Sequence, residues 1–350
     1  MSEKIECIAV VKTPLQLINA SEYIHKHNIK GYLLIVMRNR QKWGREFFDN
    51  VPSIKLWENV VFFDFNSGLF LRLGRFKKLK HLDLMLDDLR FKRFLKSQLS
   101  NASSCRTLVV GNPRDLWVGH LANTIEAEEI VDCEDGMTTL VQNYNRSIIW
   151  KFRENLFGFK SRNAPIDKIF TSYEEFTLDG KEIIVNKYDF VRSLIKGRQS
   201  ERSEIVWFIG QPLVELDLLS FDLYLKVVSE IKGRCEGNEF FYYPHPGENS
   251  EKVKALSSKL GVDVITPDSV LEVAVMKSQK TPQRMAFLYS SAFSTFQTIY
   301  GEDIRLDVYK PDYKYFKSKM KAQAYEDVYG WLEGFIKPPH RFIPLSNLSE

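Results

Sequence analysis

Much that would place a protein at a glance is missing from this chain. Its four cysteines among 350 residues, Cys7, Cys105, Cys133 and Cys235, are scattered without C-x-x-C spacing. The opening residues "MSEKIECIAVVK" lack the apolar centre of a signal peptide. Together these features point to a reducing cytoplasm and no disulfides. No apolar run approaches the roughly 20 residues needed to cross a bilayer. Neither G-x-G-x-x-G nor G-K-[ST] occurs, which argues against a dehydrogenase and against a phosphate-loop nucleotidase. D-x-D, a common way to hold a metal on a diphosphate, is also absent. Chemistry here is therefore expected to use no metal and to act on a monophosphate leaving group stabilised by protein donors alone. A net charge of +4 and a pI near 8.6 make a weak electrostatic footprint. No nucleic-acid module accompanies it, so nucleic acid is not an expected partner.

What is present suits an α/β protein. Hydrophobic residues make up 44% of the chain and phenylalanine alone counts 25, enough for two domains with separate cores. Short runs rich in β-branched and aromatic residues alternate with helical patterns. "IECIAVV", "YLLIVM", "VVFFDF", "TLVVG", "EIVD" and "KIFTSY" read as buried parallel strands, and "IVWFIG", "FFYYP", "VDVIT", "MAFLYS" and "RLDVY" as a second series. The polar stretch 195–204 reads as the linker between two Rossmann-like domains with parallel sheets, 1–195 and 204–350. A helix near the C-terminus is expected to pack back on the first domain. Leu218, Phe221, Leu225 and Val228 share a buried helical stripe. Thr13 reads as an N-cap with Pro14 in the first turn of the following helix.

Ligands of open α/β sheets bind beyond the carboxyl ends of the strands. Four strand ends carry candidate chemistry. Lys12, Thr13 and Pro14 lead from a strand into a helix, where free N–H groups and the Thr13 hydroxyl could hold a hydroxylated or anionic ligand; simple capping is the competing reading. Glu134 and Asp135 are adjacent carboxylates before Gly136. Mutual repulsion would raise one pKa toward that of a base, and a polar turn is the alternative. His245 stands between Pro244 and Pro246, and the second proline keeps it extended, so its ring is placed reproducibly; otherwise it is a surface loop histidine. Ser290 and Ser291 close an apolar strand where a helix begins, as an anion site or as ordinary caps.

Glu134-Asp135-Gly136, His245-Pro246 and Ser290-Ser291, in that order, resemble the motifs of the bacterial sialyltransferases of the lipooligosaccharide and polysialic acid capsule type. The opening "TPLQ", with Thr13 and Gln16, is similar to the start of the same group and marks an acceptor-binding segment. The resemblance runs in outline from about residue 5 to 300. It implies a GT-B fold, with the two domains facing across a cleft and CMP-sialic acid held by the C-terminal one, and an inverting, metal-independent transfer without a cofactor. It also implies residue roles. Glu134 would be the base that deprotonates an acceptor hydroxyl, with Asp135 second and Glu215, in the loop that also holds Asp217, third. His245, with Pro246, would meet the departing CMP phosphate, Ser290 and Ser291 would donate to its oxygens, and Glu272 would hold the ribose unless it is an exposed helix residue.

The expected partners are a CMP-sugar and a glycan ending in galactose or sialic acid, contacted by Tyr144, Lys151 and Arg153 unless these lie on a plain helix surface. The basic stretches 71–81 and 309–325 read as amphipathic faces, either solvated or peripheral anchors on an anionic inner membrane. Other readings are a transferase of another CMP-activated ulosonic acid such as Kdo, and a non-catalytic protein that binds nucleotide or glycan.

Overall fold

The structure is a computed structural model that describes residues 4–39, 52–65, 80–98, 103–136, 148–160, 164–196, 201–235, 237–266, 271–278, 280–288, 290, 292–317 and 319–345. The chain divides into two compact units, Met1–Leu194 and Ile195–Glu350.

The first unit is a seven-stranded sheet in the order β3-β2-β1-β4-β5-β6-β7, parallel throughout. Its strands are β1 (Ile5–Val11), β2 (Gly31–Asn39), β3 (Trp57–Phe65), β4 (Ser104–Gly111), β5 (Glu126–Cys133), β6 (Lys168–Thr171) and β7 (Glu182–Val185). The helices are α1 (Pro14–His27), α2 (Lys80–Gln98), α3 (Leu116–Ala122), α4 (Ile148–Phe157) and α5 (Asp189–Ile195). β1 and β4 are buried at nearly every position because helices cover both faces. α1 begins as its sequence dictates. Thr13 stays extended at φ −123°, ψ 157°, its hydroxyl accepts from the Gln16 N–H, and Pro14 occupies the first turn.

The second unit is a six-stranded parallel sheet ordered β10-β9-β8-β11-β12-β13. Its strands are β8 (Glu201–Ile209), β9 (Glu239–Tyr243), β10 (Asp263–Val264), β11 (Lys280–Phe287), β12 (Arg305–Pro311) and β13 (Arg341–Leu345). Its helices are α6 (Phe221–Gly233), α7 (Ser250–Leu260), α8 (Leu271–Lys277), α9 (Ala292–Tyr300) and α10 (Lys319–Phe335). Two parallel, helix-covered Rossmann-like sheets in tandem make this a GT-B fold.

The structure departs from sequence expectation in several places. Residues 201–204, read as linker, are the first half of β8 and pair with β11. Main-chain groups make that pairing, so polar side chains do not mark where a strand starts. β7 and β13 escaped notice because each is a short edge strand, and Pro344 sits in β13 where only an edge tolerates it. Leu218 is buried but precedes α6, whose cap is Ser220. The basic stretch 309–325 is not one amphipathic face. It is the end of β12, a single turn at Tyr313–Tyr315 and the start of α10, and Lys310, Lys314 and Lys317 pair with Glu326, Asp312 and Asp217. The other basic stretch, 71–81, falls outside the described residues except for its last two positions, which open α2. Within the second unit, the Tyr329 hydroxyl of α10 donates to the Tyr309 carbonyl at 3.2 Å. Among the described residues no helix is long and apolar enough to cross a membrane.

Candidate functional site

Each sheet reverses its direction of growth at its first strand, β1 in one unit and β8 in the other. In open α/β sheets the ligand crevice lies at such a reversal, beyond the carboxyl ends of the strands.

In the first unit the crevice is built from the ends of β1, β4 and β5. Thr13 donates to Asp135 Oδ1 at 3.4 Å, while its oxygen accepts the Gln16 N–H at 3.2 Å. Gln16 is buried, accepts from the Lys12 N–H at 2.7 Å and also bonds to Asp135, as does Asn112. Gly111, ending β4, leaves room for the Gln16 side chain: a Cβ there would lie 2.6 Å from Gln16 Oε1 and would push that side chain aside. The next residue, Asn112, adopts φ 54°. Lys12 is anchored to Asp115 at 2.6 Å, and Asp115 caps α3. Thr13, Gln16 and Asp135 are thus brought into one cluster.

Glu134 and Asp135 are adjacent yet occupy different surroundings. Glu134 has no exposed surface. Its Oε2 accepts from Thr171 Oγ1 at 2.9 Å, the Ser172 N–H at 2.7 Å and Ser172 Oγ at 2.9 Å. Its own carbonyl accepts from Asn19 Nδ2 at 2.8 Å. Asp135 is half-buried. Both carboxyls are raised above the usual range, chiefly by burial. Hydrogen bonds from Ser172 and Thr171 oppose the shift at Glu134; those from Gln16 and Thr13, with the charge of Lys12, oppose it at Asp135. Neighbouring Asp132 is raised further, by burial and then by Asp135.

In the second unit β9 delivers His245. The ring is exposed, and its Nδ1 accepts the Gly247 N–H at 2.9 Å. An accepting Nδ1 carries no proton, so the neutral ring is the Nε2–H tautomer. The loop is tied down by Glu248, whose Oε2 accepts the His245 N–H at 2.7 Å and whose Oε1 accepts the Tyr242 hydroxyl at 2.6 Å. Behind it runs a one-way chain: the Gln211 N–H donates to Tyr224 at 3.1 Å, Tyr224 to Tyr242 at 2.8 Å, and Tyr242 to Glu248. Each hydroxyl accepts once and donates once, and the chain ends on a carboxylate. Lys252 neutralises that carboxylate at 2.6 Å and also reaches Glu215 at 3.0 Å. Burial raises the Glu248 carboxyl, and Lys252 opposes the shift.

The remaining expected residues fall as follows. Pro246 is exposed beside His245. Ser290 is half-buried; its oxygen accepts the Ala292 N–H at 3.2 Å as α9 begins. Ser291 and Tyr144 lie outside the described residues. Glu272 is buried in the first turn of α8 and is not an exposed helix residue; burial raises its carboxyl. At Glu215 burial is outweighed by the Asn249 N–H and Lys252, which hold it below the usual range, the opposite of a poised base. Asp217 is exposed and paired with Lys317. Lys151 is exposed, while Arg153 is buried in an ion pair with Asp88 and cannot reach out to a ligand.

Sequence reasoning missed Gly111, Asn112, Gly210, Gln211, Tyr224, Tyr242 and Glu248. A signal existed. Gly111-Asn112-Pro113 starts at the last residue of β4 and Gly210-Gln211-Pro212 follows β8. In both places the glycine leaves room for a side chain closing the crevice, since a Cβ at Gly210 would lie 2.6 Å from the Tyr242 hydroxyl.

No known family profile and no curated protein sequence matches the chain. Solved structures do. A protein assigned as a UDP-N-acetylglucosamine 2-epimerase from Listeria monocytogenes superposes with TM-score 0.50 at 11% identity, over 87% of this chain and 79% of the other. TcCGT1, crystallised in complex with UDP, superposes with TM-score 0.51 at 10% identity, over 99% of this chain and 86% of the other. The E. coli heptosyltransferase WaaC, bound to ADP-2-deoxy-2-fluoro heptose, reaches 0.46 at 9% identity over 95% and 100%. At such identities the likeness is one of fold.

Proposed function

We propose that the chain is a glycosyltransferase that moves a sialic acid from CMP-sialic acid to a hydroxyl of a bacterial surface glycan, without a metal or cofactor and with inversion. The GT-B fold, the likeness to a protein crystallised with UDP and the three motif pairs support a nucleotide-sugar enzyme. The observation that carries the reading is the Gly247 N–H donating to His245 Nδ1, because it leaves the ring proton on Nε2.

A neutral imidazole with Nε2–H can donate to a phosphate oxygen. Charge builds on that phosphate as the sugar departs through an oxocarbenium-like state, so a preorganised donor stabilises the transition state more than the ground state. Ser290, whose oxygen already accepts the Ala292 N–H, keeps its hydroxyl hydrogen for the same anion. Glu272 is the group assigned to the ribose.

For the base we assign Asp135 ahead of Glu134. Asp135 is half-buried, is raised above the ordinary carboxylate range and shares a cluster with Thr13 and Gln16. The Glu134 carboxylate is closed off from solvent; its Oε2 is taken by Thr171 and Ser172 and its Oε1 is buried without a hydrogen-bond partner among the described residues, so its part is to hold the end of β5.

The test is a transfer assay with CMP-sialic acid, CMP-Kdo and UDP-sugars against galactosides and sialosides, with product linkage analysed. Release of CMP that depends on acceptor, with a new sialoside, is the expected result. Transfer from CMP-Kdo alone would move the assignment to another ulosonic acid. Turnover of UDP-sugars alone, or binding of CMP with no turnover of any donor, would overturn it.

A further inference from the structure

Two helices of the first unit carry a surface that the transfer chemistry does not use. α2 and α4 are locked together by Arg153, whose guanidinium donates to both oxygens of Asp88 at 2.7 and 2.5 Å, while Trp117 Nε1 donates to Asp88 Oδ1 at 2.8 Å. That ion pair points inward. Successive helical positions turn by about 100°, so Leu89, one step after Asp88, and Phe152, one step before Arg153, turn away from it. Leu86 joins Leu89 three positions back, and Leu156 joins Phe152 four positions on. All four are exposed, at 45%, 46%, 57% and 51% for Leu86, Leu89, Phe152 and Leu156.

Charge on α2 is sorted as well, while α4 carries the half-buried acid Glu154. From Leu84 onward the acids of α2 are buried: Asp87 pairs with Arg90 at 2.9 Å and Asp88 with Arg153. Arg93 and Lys96 on α2, Lys151 on α4 and Lys160 just beyond it are exposed. Among the described residues none of these four cations enters an ion pair. Their i, i+3 spacing puts Arg93 and Lys96 on the outer stripe that contains Leu86 and Leu89.

We propose that this α2/α4 face docks on an anionic lipid surface, the four apolar side chains entering the headgroup boundary and the four cations meeting lipid phosphates. Large apolar residues interleaved with Lys and Arg are the composition of an interfacial helix. A protein partner is disfavoured, because the centre of a protein interface is depleted in lysine. The surface is distinct from the basic stretches picked out in the sequence, and the inference does not depend on the transfer reaction.

The experiment is flotation of the full chain with vesicles of phosphatidylcholine alone and of phosphatidylcholine with 30 mol% phosphatidylglycerol. Binding to the anionic vesicles only, weakened by added salt, is expected. Phe152→Asp with Leu156→Asp should reduce it at least tenfold, and so should Arg93→Ala with Lys96→Ala. Tyr313→Ser, an exposed aromatic of the second unit, should leave it unchanged. The exposed Arg93/Lys96 pair keeps the test valid if the α4 variant fails to fold, which circular dichroism would report. Absence of binding to anionic vesicles, binding indifferent to both double variants, or self-association that the same variants abolish would each overturn the proposal.

Discussion

The Tyr242 hydroxyl donates to Glu248 Oε1 at 2.6 Å, and the other oxygen of that carboxylate holds the His245 N–H. One buried acid therefore joins the strand that ends at Tyr243 to the loop that presents the imidazole. Tyr242→Phe would leave the Tyr224 hydroxyl and Glu248 each short of a partner, at a cost of roughly 1–3 kcal/mol. Urea unfolding should show a lowered midpoint with unchanged slope. In a double-mutant cycle with Glu248→Gln the two changes should cost clearly less together than their sum. Additive costs would mean that the hydroxyl and the carboxylate are not coupled.

His245→Ala and Asp135→Asn should divide binding from turnover. Loss of the phosphate donor should lower turnover by roughly 100- to 1000-fold and weaken CMP binding. Loss of the base should lower turnover by roughly 100- to 10,000-fold with CMP affinity intact. Calorimetry of CMP binding beside initial rates would show the split, and equal CMP affinity in the two variants would refute the roles.

Glu134 should behave as a structural carboxylate. Glu134→Ala strands the Thr171 and Ser172 donors and should destabilise the first unit by roughly 1–3 kcal/mol. Glu134→Gln keeps an acceptor and should retain activity within about tenfold, a far smaller loss than Asp135→Asn shows. Thermal unfolding and rates measured on the same preparations would reveal a reversed order.

A pH effect should come from Glu22. Its carboxylate accepts the Phe190 and Val191 N–H groups at 3.0 and 2.7 Å at the start of α5. Burial pushes it from the ordinary 4.5 up to about 7, against the pull of those two N–H groups. The native state then holds a proton that the unfolded chain has released, so stability falls as pH rises from about 4.5 to about 7. The loss approaches roughly 3 kcal/mol. Denaturation midpoints across that range should slope downward, and Glu22→Gln should flatten this slope whatever it does to the absolute level. An unchanged slope would mean that Glu22 is ionised throughout.

Local features were legible in the sequence. Thr13, Pro14 and Gln16 define the start of α1 within four residues, and a cap needs nothing more distant. The core strands announced themselves as apolar runs because both faces of a parallel sheet are covered. His245 drew notice because two prolines flank it, and its partner Gly247 is two residues away. Short edge strands such as β7 stayed silent, because pairing is a property of main-chain groups that composition does not encode.

By itself, then, the sequence determined the α/β class and the tandem sheets, since both follow from periodicity and near-neighbour geometry. It could not separate Glu134 from Asp135, which look equivalent as adjacent acids. Tertiary structure decides that one carboxylate turns in on Ser172, 38 positions away, and the other lies beside Thr13, 122 positions away. Successive residues at the end of a strand face opposite ways, and what waits on each side is set by strands and helices from distant parts of the chain.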